Sequence, residues 1–77
     1  MKVKVTFFGV LTEAAGTNSA ELEVKGTLEE LKEKVYERFP KVKNYLFKLA
    51  VNEMLVNADT PLSENDEIAF LPPYAGG

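Results

Sequence analysis

The chain contains neither cysteine nor histidine. Without cysteine, no disulfide or thiolate metal site braces the fold, and no thiol is present to act as a nucleophile or to carry sulfur. Without histidine, the commonest general base and the usual zinc ligands are missing as well, which argues against a self-contained hydrolase or metalloenzyme. Basic residues are outnumbered: nine Lys/Arg against twelve Asp/Glu leave a net charge of −3. A nucleic-acid binder carries the opposite balance and a basic stripe. No apolar run approaches the roughly 20 residues of a membrane-spanning helix. The opening Met1-Lys2-Val3-Lys4-Val5 alternates lysine with valine where a signal peptide has an apolar block. The expectation is a cytoplasmic protein that binds no metal, no nucleic acid and no membrane. Its 77 residues make one small domain, at a size where a single core only just suffices.

Val3, Val5 and Phe7 alternate with Lys2, Lys4 and Thr6, a period of two that predicts a strand with one buried face. Phe8 falls on the polar side of that pattern. Gly9 loosens the chain, and the small, polar Glu13–Ser19 reads as a long, ragged connection to a second strand over Ala20–Lys25. Thr27, followed by Glu30, forms a capping box at the start of a helix. Leu28, Leu31, Val35 and Phe39 follow at spacings of three and four, and Pro40 stops the helix. Residues 41–47 read as a turn or single helical loop. A hairpin about Asn52-Glu53 comes next, with the turn type left open because Glu disfavours the positive φ that Asn tolerates. After a loop anchored by Leu62, Asn65 takes a left-handed turn position and Glu67–Leu71 forms the last strand.

The order is strand, strand, helix, then three strands. A lone crossover helix covers one sheet face and favours parallel pairing of the first and last strands at the centre. The expected fold is α+β: a ubiquitin-like β-grasp, a five-stranded mixed sheet with one main helix packed on one face. Residues 1–71 form the domain and residues 72–77 an extended tail.

On the face that the helix leaves open, Phe8, Ala69 and Leu71 point outward where polar residues are usual, with Leu55 joining them. These make Phe8, Leu71 and Leu55 candidate docking residues, since an exposed apolar patch on a small domain marks an interaction surface. The alternative is that the long connection after Gly9 folds over Phe8 and Leu71. Beyond the patch, Pro72-Pro73 stiffens the chain, and Tyr74-Ala75-Gly76-Gly77 follows. Six extended residues reach roughly 20 Å, and two residues without Cβ atoms fit a channel too narrow for side chains.

Lys4-Val5-Thr6-Phe7-Phe8-Gly9, Ala50-Val51-Asn52 and Asp66-Glu67-Ile68-Ala69-Phe70-Leu71-Pro72-Pro73, leading to Gly76-Gly77, resemble the small subunits of molybdopterin synthase, a family of ubiquitin-like sulfur carriers. The resemblance covers nearly the whole chain. One position departs from it: the family usually has glycine where Asn65 stands, and asparagine is the next best left-handed residue. The resemblance implies that the Gly77 carboxylate, presented with Gly76, is adenylated by an E1-like enzyme using ATP and then converted to a thiocarboxylate by a sulfur donor. It also implies docking on a large catalytic subunit that installs the dithiolene sulfurs of molybdopterin, with no cofactor bound by the carrier itself. Two other fates start from the same acyl-adenylate. One is a ubiquitin-like modifier conjugated through Gly77; the other is a thiamine-pathway sulfur carrier, which the diproline disfavours.

Overall fold

The computed structural model describes residues 1–73. Strand β1 (Lys2–Phe7) leads into a short helix α1 (Val10–Ala15), then β2 (Ser19–Glu23) and the long helix α2 (Leu28–Arg38). A 3-10 turn over Pro40–Asn44 delivers β3 (Lys48–Val51), β4 (Met54–Val56) and β5 (Glu67–Leu71). The five strands lie in the order β2-β1-β5-β3-β4. β1 and β5 pair in parallel at the centre and the other neighbours pair antiparallel. This is the mixed β-grasp sheet expected from the element order.

Register decides which residues meet α2. Val5 stands opposite Ile68 and Phe7 opposite Phe70, while Leu49 and Val51 face Phe70 and Ile68 from the other side. Residues in register share a face, so these form one inner layer. It closes on Leu28, Leu31 and Val35 of α2. Each large apolar side chain fully buried there contributes about 1.5–3 kcal/mol. At one end of the layer the aromatics cluster: Phe7 and Phe70 have ring centroids 5.4 Å apart, Phe39 meets Phe7 edge-on at 5.4 Å, and Phe47 lies 4.8 Å from Phe70.

The expected ragged connection after Gly9 is instead α1. Leu11 on it is fully buried, and Gly16 ends it with φ 76, its amide donating to the Thr12 carbonyl at 2.8 Å. The Thr12 hydroxyl also donates to the Phe7 carbonyl at 2.9 Å, tying the helix to the end of β1. Six residues complete fewer than two helical turns, too few for an apolar stripe to declare itself in the sequence. Because Leu11 joins the core and α1 packs on the 3-10 turn, the connection does not fold over the sheet's outer face.

The start of α2 follows the capping box with an extension. Thr27 Oγ1 accepts from the Glu30 amide at 3.3 Å, while the Glu30 carboxylate reaches past the cap to the amides of Lys25 at 2.8 Å and Gly26 at 3.0 Å. Asp59 adds a cap that the sequence did not announce, accepting from the Glu29 amide at 2.9 Å. The Lys25 hydrogen bond, supported by Gly26 and the charge of Lys34, holds the Glu30 carboxyl below its ordinary value. The folded carboxylate thus resists protonation more than the unfolded one. Its contribution is full above the unfolded-state pKa and vanishes as pH falls through the lower folded-state value. Both central residues of the β3–β4 turn have positive φ, Asn52 at 50° and Glu53 at 73°, as a type I′ turn requires.

Two measurements check this fold. Glu53→Gly supplies the Asn-Gly pair that this turn favours and is expected to raise stability by about 1 kcal/mol, a rise in melting midpoint of about 4–8 °C; a lowered midpoint would show that Glu53 is not strained. Glu30→Gln is expected to flatten the acid side of the melting-temperature profile, below the ordinary glutamate pKa, and an unaltered profile would assign that acid sensitivity to other carboxylates.

Candidate functional site

The pairings that bury one face of the sheet define the other. Thr6 stands opposite Ala69, Ala69 opposite Ala50, and Ala50 opposite Leu55. One step further along, Phe8 follows the Phe7–Phe70 pair and so lies beside Leu71, which itself pairs with Lys48. Toward the opposite end the same face is charged: Lys2 opposite Glu23, and Lys4 between Glu21 and Glu67. Lys2 Nζ lies 3.9 Å from Glu21. The outer face is therefore split into a charged half and an apolar half, and the apolar half is the one from which β5 leaves the sheet.

Phe8, just past the end of β1, is brought beside Leu71 at the end of β5. Phe8 is 45% exposed and Leu71 half-buried. Leu55 is 64% exposed and stands two strands away, about 10 Å across the sheet at the usual strand spacing. Ala69 and Ala50 form the low floor between them. Leu55 also borders a groove of about 500 Å³ between the start of α2 and the β3–β4 hairpin, whose lining includes Leu28, Lys32, Leu49 and Val56. Sequence reasoning passed over other exposed apolar residues, two of them more exposed than Leu55. Leu46, 81% exposed, sits in a connection without periodicity, and Met54, 72% exposed, shares the phase of inward residues but lies on the edge strand.

The tail begins against the body of the domain. Gly9, at φ 59 and ψ −137, turns the chain from β1 into α1. A Cβ there would meet Pro72 Cγ at 2.8 Å, closer than real side chains approach, so Pro72 rests where the glycine side chain is missing. The expectation that Gly9 merely loosens the chain is corrected by this contact. Directly beneath, the Phe8 amide donates to the Phe70 carbonyl at 3.1 Å and the aromatic cluster fills the inner face. Pro72 and Pro73 are both half-buried. The remaining tail residues, Tyr74, Ala75 and the candidate reactive Gly76 and Gly77, lie outside the described residues.

Among the described residues no polar or charged side chain is buried, and no three acidic side chains are grouped to hold a metal ion. No helix in them is long and apolar enough to cross a membrane. The described part of the chain thus offers a split surface and a seated tail root.

Comparison with known proteins supplies a context. Residues 5–77 match the model of the ThiS family. The molybdopterin synthase sulfur carrier subunit of Escherichia coli is 34% identical, over 97% of this chain and 99% of its own. Subunit 1 or 2 in a solved complex of the two subunits of molybdopterin-converting factor from Helicobacter pylori matches at 30% identity with a TM-score of 0.76, covering all of both chains. The small archaeal modifier protein 1 of Methanosarcina acetivorans matches at 26% identity with a TM-score of 0.84, over 99% of this chain and 96% of its own.

The two faces make opposite demands on neighbouring phenylalanines. Phe7→Ala is expected to cost about 3–5 kcal/mol in urea unfolding, whereas Phe8→Thr is expected to stay within about 1 kcal/mol because the site is half open. Equal costs would place Phe8 in the core and abolish the exposed patch.

Proposed function

Because this chain belongs to the ThiS family, we propose that it is a sulfur carrier and acts as the small, sulfur-donating subunit of a molybdopterin synthase. The observation that carries this reading is the position of the tail root: the Pro-Pro-x-x-Gly-Gly segment leaves from the apolar half of an otherwise charged sheet face. Full-length similarity to the Escherichia coli sulfur carrier subunit supports it.

The chemistry follows from the terminal group. The Gly77 carboxylate attacks the α-phosphorus of ATP in the active site of an E1-like partner, forming the acyl-adenylate and releasing pyrophosphate. A sulfide equivalent from a sulfur donor then attacks the acyl carbon, forming the C–S bond and expelling AMP. The resulting thiocarboxylate sulfur is a softer and better nucleophile than a carboxylate oxygen. It attacks a carbon of the pterin precursor within the large subunit, forming a C–S bond as an oxygen substituent leaves that carbon, and water then hydrolyses the acyl–sulfur bond, returning the Gly77 carboxylate and leaving sulfur on the product. Two carriers supply the two dithiolene sulfurs. The reaction consumes cytoplasmic ATP, and the carrier itself binds no cofactor.

In this scheme the carrier supplies no catalytic side chain, consistent with a chain that lacks cysteine and histidine. Gly76 and Gly77 give slimness, while Phe8 and Leu71, with Leu55 at the margin, bury apolar area against the large subunit. Charged half and apolar half then divide the work: the apolar half supplies affinity and the charged half orients the encounter.

A second reading is favoured by the likeness to the Methanosarcina acetivorans modifier: the same adenylate is captured by a lysine amine, giving an isopeptide. A ladder of heavier species on a denaturing, reducing immunoblot of cell extract supports conjugation, and a single band supports the carrier.

Two variants test the proposal. Phe8→Glu is expected to weaken binding to the large subunit at least tenfold, about 1.4 kcal/mol, with the melting temperature little changed. Removal of Gly77 is expected to abolish ATP–pyrophosphate exchange by the activating enzyme while the fold is retained. Undiminished exchange without Gly77 would sink the proposal.

A further inference from the structure

Gly9 lies outside the chemistry just described, yet two independent features of its position require glycine. Its φ of 59° with ψ −137° is a conformation closed to ordinary L-residues. Separately, the volume that a Cβ would fill holds the Pro72 ring, with Pro72 Cγ 2.8 Å, Cδ 3.7 Å and Cβ 4.0 Å from that point. The first feature serves the turn from β1 into α1. The second has no bearing on that turn and concerns the tail alone.

We propose that Gly9 is a positioning residue for the tail: its missing side chain forms a seat for the Pro72 ring, and this joint sets the direction in which the reactive terminus leaves the domain. The seat itself is rigid. The Phe8 amide is bonded to the Phe70 carbonyl, the Leu11 and Thr12 amides donate to the Phe8 and Gly9 carbonyls at 3.1 and 3.0 Å, and the Thr12 hydroxyl holds the Phe7 carbonyl. The ring is rigid too, because proline fixes its own φ, and Pro73 restricts the conformation of Pro72. Two stiff parts meeting at one contact define an angle.

The angle matters through the lever it controls. Residues 73–77 span at most about 17 Å, so turning the root by roughly 10° shifts the tip by about 3 Å over that length. A displacement near 1 Å is enough to lower the rate of a positioned reaction about 100-fold. This inference rests on the sulfur-carrier reading for its consequence, since only a reacting terminus needs aiming. The joint itself stands on the geometry.

The experiment has a structural arm and a kinetic arm. In the wild-type protein an NMR cross-relaxation contact between the Gly9 α-protons and the Pro72 ring protons is expected; its absence overturns the joint whatever the protein does. Gly9→Ala is expected to remain folded, lose that contact and shift the Tyr74 amide signal. Its kcat/KM in ATP–pyrophosphate exchange should fall at least about tenfold. Pro72→Gly empties the seat without altering the φ of Gly9, so it should lower the rate similarly. It also keeps the test decisive if Gly9→Ala does not fold.

In the double variant the rate loss should be no larger than in either single, because both break the same joint, while the loss of thermal stability from the strained φ at position 9 persists. A rate loss equal to the product of the singles, or unchanged rates in both singles, overturns the proposal. If the wild-type protein itself supports no exchange, the carrier reading falls and the NMR arm alone decides the joint.

Discussion

Parallel pairing of β1 with β5 is the constraint on which the rest of the molecule depends. It joins the first strand of the chain to the last, so both run to the same end of the sheet. Phe8 and Gly9 at the end of one therefore neighbour Leu71 and Pro72 at the end of the other. The exposed apolar patch and the origin of the tail are thereby built from residues more than sixty positions apart. Antiparallel pairing at the same place would send the tail out beside Lys2, from the charged end.

The inner face explains why that end is firm. Phe7 and Phe70 pack on each other directly under the tail root, with Phe39 and Phe47 around them. Edge-on and tilted aromatic contacts each add about 0.5–1.5 kcal/mol beyond the area they bury. The small domain thus concentrates aromatic side chains under the point where the tail begins. On the outer face the small Ala69 and Ala50 pair across the strands and leave that surface low.

Much of this was legible in the sequence because it repeats at a recognisable period or uses residues with one strong habit. Alternation in Val3-Val5-Phe7 and Ile68-Phe70 assigned the inner face and left Phe8 and Leu71 outside it. Thr27 with Glu30 announced the start of α2, and Asn65 its left-handed turn at φ 68. What escaped reading was short or non-local. Helix α1 is too brief to show a stripe, although Ala-Ala before Gly16 was a usable signal of a helix end. The Asp59 cap and the Gly9–Pro72 contact join residues 30 and 63 positions apart, and no local pattern encodes such pairs. Glu53 broke a rule of turn chemistry, and the hairpin formed because the flanking register turns Leu49 and Val56 together toward the core only with a two-residue turn there.

The absence of thiols makes the central claim open to a direct measurement. Sulfur gained by this chain cannot reside on cysteine, and an oxygen gained at Met1 or Met54 has nearly the same mass as an exchange of oxygen for sulfur. Intact-mass analysis of protein purified from its own cells, followed by fragmentation to locate the change, separates these. A fraction of molecules with sulfur in place of one terminal oxygen on Gly77 is the result this account predicts. Unmodified carboxylate on every molecule, in cells actively making the pterin product, would contradict it.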